Sequence, residues 1–174
     1  DGERRAVLGS GQAVVHYRLA IMSKDGDWIV REDEEACSHI RTVLAQREAR
    51  YRAGAPLDPR WLAGGWSSHF EFRDARERRV RCDFFSRPPR IPRPVVEGLF
   101  SETSGTQRAV VGLEELILMK RTQRAKDYPV IGELARRLPP EREIEYTTDP
   151  DRVLALAESY GTGSARLPVQ AALS

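Results

Sequence analysis

The spacing of apolar residues divides the first third of the chain into short strands and helices. Residues 6–8 are apolar and predict a first strand. Residues 12–21 carry apolar side chains at intervals of three and four, which predicts a helix. One stripe of this helix consists of Ala13, Tyr17 and Ile21. Residues 23–30 predict a second strand, and Asp33 is expected to cap the helix that follows it.

The middle of the chain alternates apolar and polar side chains in two runs, residues 67–73 and residues 79–85. Alternation with a period of two is typical of half-buried strands, so the two runs predict a hairpin. Glycine and proline predict loops on either side of it, at residues 54–65 and 86–94. The second loop carries three arginines, Arg87, Arg90 and Arg93.

Helical spacing dominates the last third of the chain. A short strand at residues 109–112 precedes a helix at residues 113–121. A second helix is expected to begin with Asp127 as its cap and to end at a Pro-Pro pair. A third helix is expected to begin at Pro150 and to end at a glycine. Residues 162–174 predict a loose tail.

These elements predict an α/β (α+β) fold in a single domain that spans the chain. Its core, about residues 6–112, is expected to hold a short mixed, mainly antiparallel sheet with helices on one side. Residues 113–161 are expected to form a helical C-terminal part that precedes the tail.

Composition and charge change this picture little. A chain of 174 residues suits one domain, and no apolar run approaches the length of a membrane span. The two cysteines have no metal-ligand spacing, so we expect a reduced, cytoplasmic protein without a membrane partner. The net charge of +2 does not by itself argue for nucleic acid. Arginine outnumbers lysine, however, and its guanidinium suits bidentate contacts with phosphate.

Three aspartates lie where the pattern predicts strands. Asp25 and Asp27 would point to the same face of a strand, because side chains alternate with period two. Two adjacent carboxylates repel each other, and they suit a divalent cation such as Mg²⁺, which prefers oxygen ligands. Asp83 lies opposite the apolar face of a later strand. Asp-Gly is also a common turn dipeptide, so a solvated turn is the alternative interpretation of the first pair.

A glycine-rich turn precedes the aspartate pair. Gly9 and Gly11 allow the backbone to approach an anion closely, and the predicted helix after them offers unpaired N–H groups to phosphate. Gly9-Ser10, followed after a helix by Asp25-x-Asp27, resembles the signature of the DNA polymerase β-type nucleotidyltransferase superfamily. The motif Gly-Ser-Gly-x-Ala at the start of this stretch and the motif Lys-Asp-x-Asp-Trp at its end are similar to motifs of small prokaryotic nucleotidyltransferase-like proteins. That group includes abortive-infection toxins.

This resemblance covers about residues 7–138 and implies roles for single residues. Asp25, Asp27 and a third carboxylate, matched by Asp83, are implied to bind Mg²⁺ or Mn²⁺. The nucleotide-binding positions implied are Gly9, Ser10, Gly11, Lys24 and Lys120. Lys120 belongs to a Lys…Arg-x-Lys-Asp pattern, for which a solvated helix face is the alternative interpretation.

The expected function is the transfer of a nucleoside monophosphate from a nucleoside triphosphate to an acceptor hydroxyl. The acceptor could be RNA, a protein or a small molecule, and the resemblance also implies a cognate antitoxin protein as a partner. A polyanionic acceptor would meet the arginines of residues 86–94. The alternative function is a non-catalytic component of a toxin–antitoxin pair that keeps the fold in order to bind its partner.

Overall fold

The computed structural model describes residues 3–101, 109–122, 124–161 and 164–173. The chain forms two compact units, Asp1–Val111 and Gly112–Ser174. The first unit contains the sheet, and the described part of the second is helical. In the described part of the chain, no helix is both long enough and apolar enough to cross a bilayer.

The first unit is built on one mixed sheet of five strands in the order β1-β2-β5-β4-β3. Strands β2 and β5 are parallel, and the other three neighbouring pairs are antiparallel. The prediction of a mixed α/β fold with a mainly antiparallel sheet is therefore confirmed. The strands are β1 (Ala6–Gly9), β2 (Asp25–Val30), β3 (Arg50–Gly54), β4 (Ser68–Arg73) and β5 (Arg79–Phe85).

One face of this sheet is apolar because every second residue of the central strands is hydrophobic. The helices of the unit are α1 (Ser10–His16), α2 (Glu34–Gln46), α3 (Pro59–Ala63) and α4 (Arg93–Ser101). Phe84 from β5 and Val30 from β2 form a buried cluster with Ile40 of α2 and Leu62 of α3. The polar residues that alternate with them lie on the opposite face. That opposite face is also covered in part, since Val7 and Ile29 on it are fully buried.

The cap of α2 was predicted from sequence and is present. The Asp33 carboxylate accepts a hydrogen bond of 2.7 Å from the Ala36 amide. Glu34 and Glu35 lie in the first turn, where negative charge favours the positive end of the helix dipole. The cap fixes the start of the helix that covers the apolar face of the sheet.

The helix predicted at residues 12–21 is shorter in the structure. It ends at His16, and Arg18 adopts a φ of 58° that no helix continues. Ile21, predicted to lie on the apolar stripe, is 98% exposed. The apolar spacing continues to residue 21, but the positive φ of Arg18 does not allow the helix to continue. The prediction of a helix through residue 21 was therefore wrong.

The regions expected to be loops contain regular elements. The helix expected to continue to Gly54 ends at Gln46, and Arg50–Gly54 instead forms strand β3 at the edge of the sheet, with every residue exposed. Helix α3 begins at Pro59, where proline suits the first helical turn, and Asp58 caps it. Helix α4 begins at Arg93, so the expected loop at residues 86–94 is shorter than predicted. Proline and glycine mark the starts and ends of these short elements rather than one long loop.

The second unit packs short helices around its own core. Its elements are α5 (Leu113–Lys120), a 3₁₀ turn (Ala125–Asp127), α6 (Tyr128–Ala135), α7 (Pro140–Tyr146), α8 (Pro150–Tyr160) and α9 (Leu167–Leu173). Helix α9 lies in the segment expected to be a loose tail, and it is held because Val169 is fully buried in a cluster with Ile144 and Leu156. Asp127 precedes α6 as predicted, but its side chain does not cap the helix. The Asp127 carboxylate instead accepts a hydrogen bond from Arg124.

Replacing Leu62 with alanine tests whether α3 belongs to the core of the first unit. Leu62 is fully buried, so the cavity and the lost burial should lower the free energy of unfolding by roughly 2–5 kcal/mol. The measurement is urea unfolding followed by tryptophan fluorescence, which reports this unit because Trp28, Trp61 and Trp66 all belong to it.

The matched control is Val43→Ala on α2, since Val43 is 41% exposed. It should change the free energy of unfolding by no more than about 0.5 kcal/mol. Equal effects of the two substitutions would show that α3 does not pack against the sheet.

Candidate functional site

A row of residues crosses the polar face of the sheet at one level. Gly9 of β1 pairs with Asp27 of β2, Asp27 pairs with Asp83 of β5, and Asp83 pairs with His69 of β4. Residues paired across neighbouring strands share a face, and such strands lie about 4.8 Å apart. The structure therefore brings Asp27 and Asp83 side by side. Asp25, two residues before Asp27, lies on the same face one level away.

The Asp83 carboxylate is held by a chain of hydrogen bonds. His69 Nδ1 lies 2.7 Å from Asp83 Oδ1, and His69 Nε2 lies 3.0 Å from the hydroxyl of Ser67. The Asp83 and His69 side chains are 23% and 29% exposed, so both remain accessible from the polar face. The chain fixes one oxygen of Asp83 and leaves the other for a further ligand.

Asp25 faces an arginine rather than a histidine. Arg81 is its partner across the parallel pair, and Arg81 Nη1 lies 3.7 Å from Asp25 Oδ1. That oxygen and Arg81 Nε are both buried, and neither has a hydrogen-bond partner among the described residues. Buried polar atoms are nearly always satisfied, so this pair of unsatisfied atoms marks a place where a bound ligand would gain contacts.

The negative field of all three carboxylates acts on a neighbouring thiol. Burial is the main cause that raises the pKa of Cys82 to about 11, and the charges of Asp83, Asp25 and Asp27 add to it. A hydrogen bond with Trp28 acts in the opposite direction. All three carboxylates therefore lie close enough to Cys82 for their charges to act on this thiol.

The carboxylates are not arranged around a single point. Within the described ranges, no group of three or more His, Cys, Asp or Glu side chains is placed to hold one metal ion. The reason is visible in their partners, because Asp83 is drawn to His69 and Asp25 to Arg81. The chemistry of the donors still fits a hard cation, since carboxylate oxygens, one of them unsatisfied, are the ligands that Mg²⁺ prefers.

The turn before α1 is strained and tightly packed. Ser10 has a φ of 48°, which is uncommon for a residue other than glycine and often marks a functional site. A Cβ atom at Gly11 would lie 2.2 Å from the Ser23 hydroxyl oxygen, so a larger residue there would displace the Ser23 side chain. Helix α1 has only seven residues, so an anion at this turn would depend on local backbone amides. Lys24, immediately before β2, is exposed.

Lys120 belongs to the second unit, whereas the aspartates belong to the first. Its side chain is 11% exposed, and Nζ lies 3.9 Å from Asp127 Oδ1. Burial opposes ionisation of Asp127, but hydrogen bonds from Thr122 and Arg124 and the charge of Lys120 outweigh it and lower its pKa. The alternative interpretation of Lys120 as part of a solvated helix face is therefore wrong.

A pocket of about 370 Å³ in the second unit contains this lysine. Four of its lining residues are cations, Lys120, Arg121, Arg124 and Arg166, against the single carboxylate of Asp127. Burial, and then the charge of Arg121, lowers the pKa of Arg166. The excess of positive charge makes the pocket suitable for an anion.

The arginines of residues 86–94 are less available than expected. Arg87 Nε lies 2.9 Å from Glu32 Oε1, and Arg93 Nε lies 2.8 Å from Glu97 Oε1. The hydrogen bond from Arg87 is the main cause that lowers the pKa of Glu32. Part of the positive charge expected to meet an acceptor is therefore neutralised within the unit.

Sequence analysis missed Ser67, His69 and Arg81. The three histidines have no mutual spacing that indicates a metal or a catalytic group. A signal existed in the hairpin, because pairing β4 with β5 in the correct register places His69 opposite Asp83. That register depends on the turn between the strands, which the alternation of side chains does not specify. Gly54 of β3 allows Ser67 to lie close to the edge strand, since a Cβ at position 54 would lie 2.1 Å from the Ser67 carbonyl oxygen.

Removing two of the carboxylate charges should make Cys82 more reactive. In the Asp25→Asn/Asp27→Asn variant, the weaker negative field should lower the Cys82 pKa from about 11 and raise the thiolate fraction at mildly alkaline pH. The rate of alkylation of Cys82 by iodoacetamide, measured by peptide mass spectrometry, should therefore increase.

Cys37 provides an internal control in the same protein. Burial also raises its pKa to about 11, but the charges that add to it come from Glu34, Asp33 and Asp58. Its alkylation rate should stay unchanged. A Cys82 rate that matches the parent protein would show that the carboxylates do not act together on this thiol.

The chain was compared with models of known protein families, with curated proteins and with solved structures, and none of the three comparisons gave a match. The function of the site is therefore inferred from the geometry of its residues and from the resemblance of its motifs.

Proposed function

We propose that this protein is a metal-dependent nucleotidyltransferase that moves a nucleoside monophosphate from a nucleoside triphosphate to an acceptor hydroxyl. The observation that supports this most directly is the pairing of Asp27 with Asp83 on adjacent parallel strands. Asp25 lies on the same face and has a buried oxygen without a hydrogen-bond partner among the described residues. Three carboxylates on one open sheet face form an unfavourable arrangement that a divalent cation would stabilise.

In this proposal each residue has a separate task. Asp25 and Asp27 would hold the metal at the triphosphate, and Asp83 would hold the metal at the attacking hydroxyl. Bound Mg²⁺ or Mn²⁺ would stabilise the negative charge that develops during phosphoryl transfer. The backbone around Gly9, Ser10 and Gly11 would contact the phosphates.

Lys24 completes the proposed nucleotide contacts of the first unit. It is exposed immediately before the strand of the aspartate pair, so its ammonium is available to a phosphate as a positive charge. Lys120 belongs to the second unit, where the basic pocket around it suits an anion, and its role as a nucleotide contact stays a prediction from the resemblance.

The reaction needs little covalent chemistry from the protein. The acceptor oxygen forms a bond to the α-phosphorus, the bond from that phosphorus to the β-phosphate oxygen breaks, and pyrophosphate leaves. The protein must hold the attacking and leaving oxygens in line and take up the proton of the acceptor. RNA, a protein or a small molecule could supply the acceptor hydroxyl, and a cognate antitoxin could regulate the site.

A non-catalytic binding role is the second candidate, and one observation favours it. Asp83 already has a hydrogen-bond partner in His69, and Asp25 already lies beside the positive charge of Arg81. A sheet face whose charges compensate one another is stable without a metal and could serve only to bind a partner protein. If the protein is the proposed nucleotidyltransferase, a metal must compete with His69 and Arg81 for the carboxylates. If the protein only binds a partner, no metal is needed.

The two candidates differ in how the protein responds to metal and nucleotide. Mg²⁺ should raise the melting temperature of the first unit, and a nucleoside triphosphate should raise it further. A ligand at about 100 times its Kd stabilises the folded state by about 2.7 kcal/mol, which corresponds to a shift in melting temperature of roughly 10 °C for a unit of this size. Asp25→Asn/Asp27→Asn should abolish both responses, measured by tryptophan fluorescence.

A charge-matched control is Glu77→Gln/Glu97→Gln, which removes two exposed carboxylates that do not belong to the row of aspartates. This variant should respond as the parent does. A parent protein that binds neither Mg²⁺ nor any of the four common nucleoside triphosphates would favour the binding role instead.

A further inference from the structure

The chain of hydrogen bonds from Asp83 through His69 to Ser67 has the connectivity of an activated nucleophile. In such sites a hydroxyl contacts a base, and a third group orients the base. Here Ser67 Oγ lies 3.0 Å from His69 Nε2, and His69 Nδ1 lies 2.7 Å from Asp83 Oδ1.

The direction of each hydrogen bond follows from the chemistry of Asp83. An ionised carboxylate can only accept hydrogen bonds, so His69 must donate to it from Nδ1. In the neutral imidazole the proton on Nδ1 leaves a lone pair on Nε2. In that tautomer the Ser67 hydroxyl donates to Nε2, which is the arrangement of a hydroxyl nucleophile beside its base.

The order of residues across the sheet places Ser67 on the side from which an acceptor would approach. The turn proposed to hold the triphosphate follows β1, and its Gly9 pairs with Asp27 on β2. His69 lies on β4, on the far side of Asp83. Attacking and leaving oxygens lie on opposite sides of the phosphorus in an in-line displacement. With pyrophosphate towards β1, the attacking hydroxyl must come from the direction of β4.

The position of Ser67 is fixed and accessible. Its carbonyl accepts a hydrogen bond of 2.8 Å from the Ala55 amide, which holds the backbone next to β4. The side chain is only partly buried, and the preceding Trp66 is 57% exposed. Gly65, with nothing within 4 Å of its Cβ position, leaves space beside the approach to Ser67.

We propose that Ser67 is itself an acceptor, so that the protein transfers a nucleoside monophosphate to its own Ser67 hydroxyl. This inference rests on the proposed function and names an acceptor for the same site. Ser67 Oγ forms a bond to the α-phosphorus, the bond to the β-phosphate oxygen breaks, and pyrophosphate leaves. The hydroxyl proton passes to His69 Nε2, and the product is a phosphodiester between Ser67 and the nucleoside.

The test uses the full purified chain with each of the four α-³²P-labelled nucleoside triphosphates and Mg²⁺. The protein should become labelled, and peptide mass spectrometry should place the nucleotide on Ser67. Ser67→Ala should reduce labelling to the background of the Asp25→Asn/Asp27→Asn variant. Ser38→Ala, which removes an exposed hydroxyl from α2, should be labelled as the parent is.

The melting-temperature response to Mg²⁺ and nucleotide is measured on the same samples. Ser67→Ala should retain it, which separates loss of the acceptor from loss of binding or folding. A parent protein that shows this response but stays unlabelled, or carries the label on another residue, overturns the inference and leaves the proposed function standing. A parent protein without the response contradicts the proposed function itself.

Discussion

The parallel pairing of β2 with β5 is the constraint on which the candidate site depends. This pairing is the only parallel one among the neighbouring strands of the described sheet, and its register sets Asp27 beside Asp83. A shift of one residue would turn Asp83 into the apolar core and bring Cys82 onto the polar face. Burial of Phe84 in the cluster with α2 and α3 prevents that shift, because a one-residue slip of β5 would expose this side chain. The core therefore determines the geometry of the charges.

Without a ligand, the charged side chains on the polar face of the sheet compensate one another only in part. Asp83 gains a hydrogen bond from His69, whereas Asp25 and Arg81 approach each other without forming one. Two buried polar atoms without a hydrogen bond cost free energy that a ligand could recover. Stability and function are opposed here, since substitutions that neutralise this pair would relieve the cost and remove the proposed metal ligand.

Local patterns predicted much of the first unit and less of the second. Alternation located β4 and β5 and thus the face of Asp83, while the cap at Asp33 located the start of α2. Strand β3 was missed because all its residues are exposed, so it carries no pattern of burial. Helix α9 was missed because its seven residues are held mainly through buried Val169. The contact between His69 and Asp83 depends on long-range register, which local spacing does not contain.

The packing at Gly54 links the edge of the sheet to its polar face. Its φ of 93° and the absence of a side chain let β3 lie against the Ser67 carbonyl and the His69 ring, whose Cδ2 would lie 2.9 Å from an added Cβ. All residues of β3 are exposed, but Tyr51 and Arg52 also have partners on β4, Phe70 and Glu71. Natural variants of this protein should therefore retain glycine at position 54, and that position would identify relatives in which Ser67 and His69 have the same arrangement.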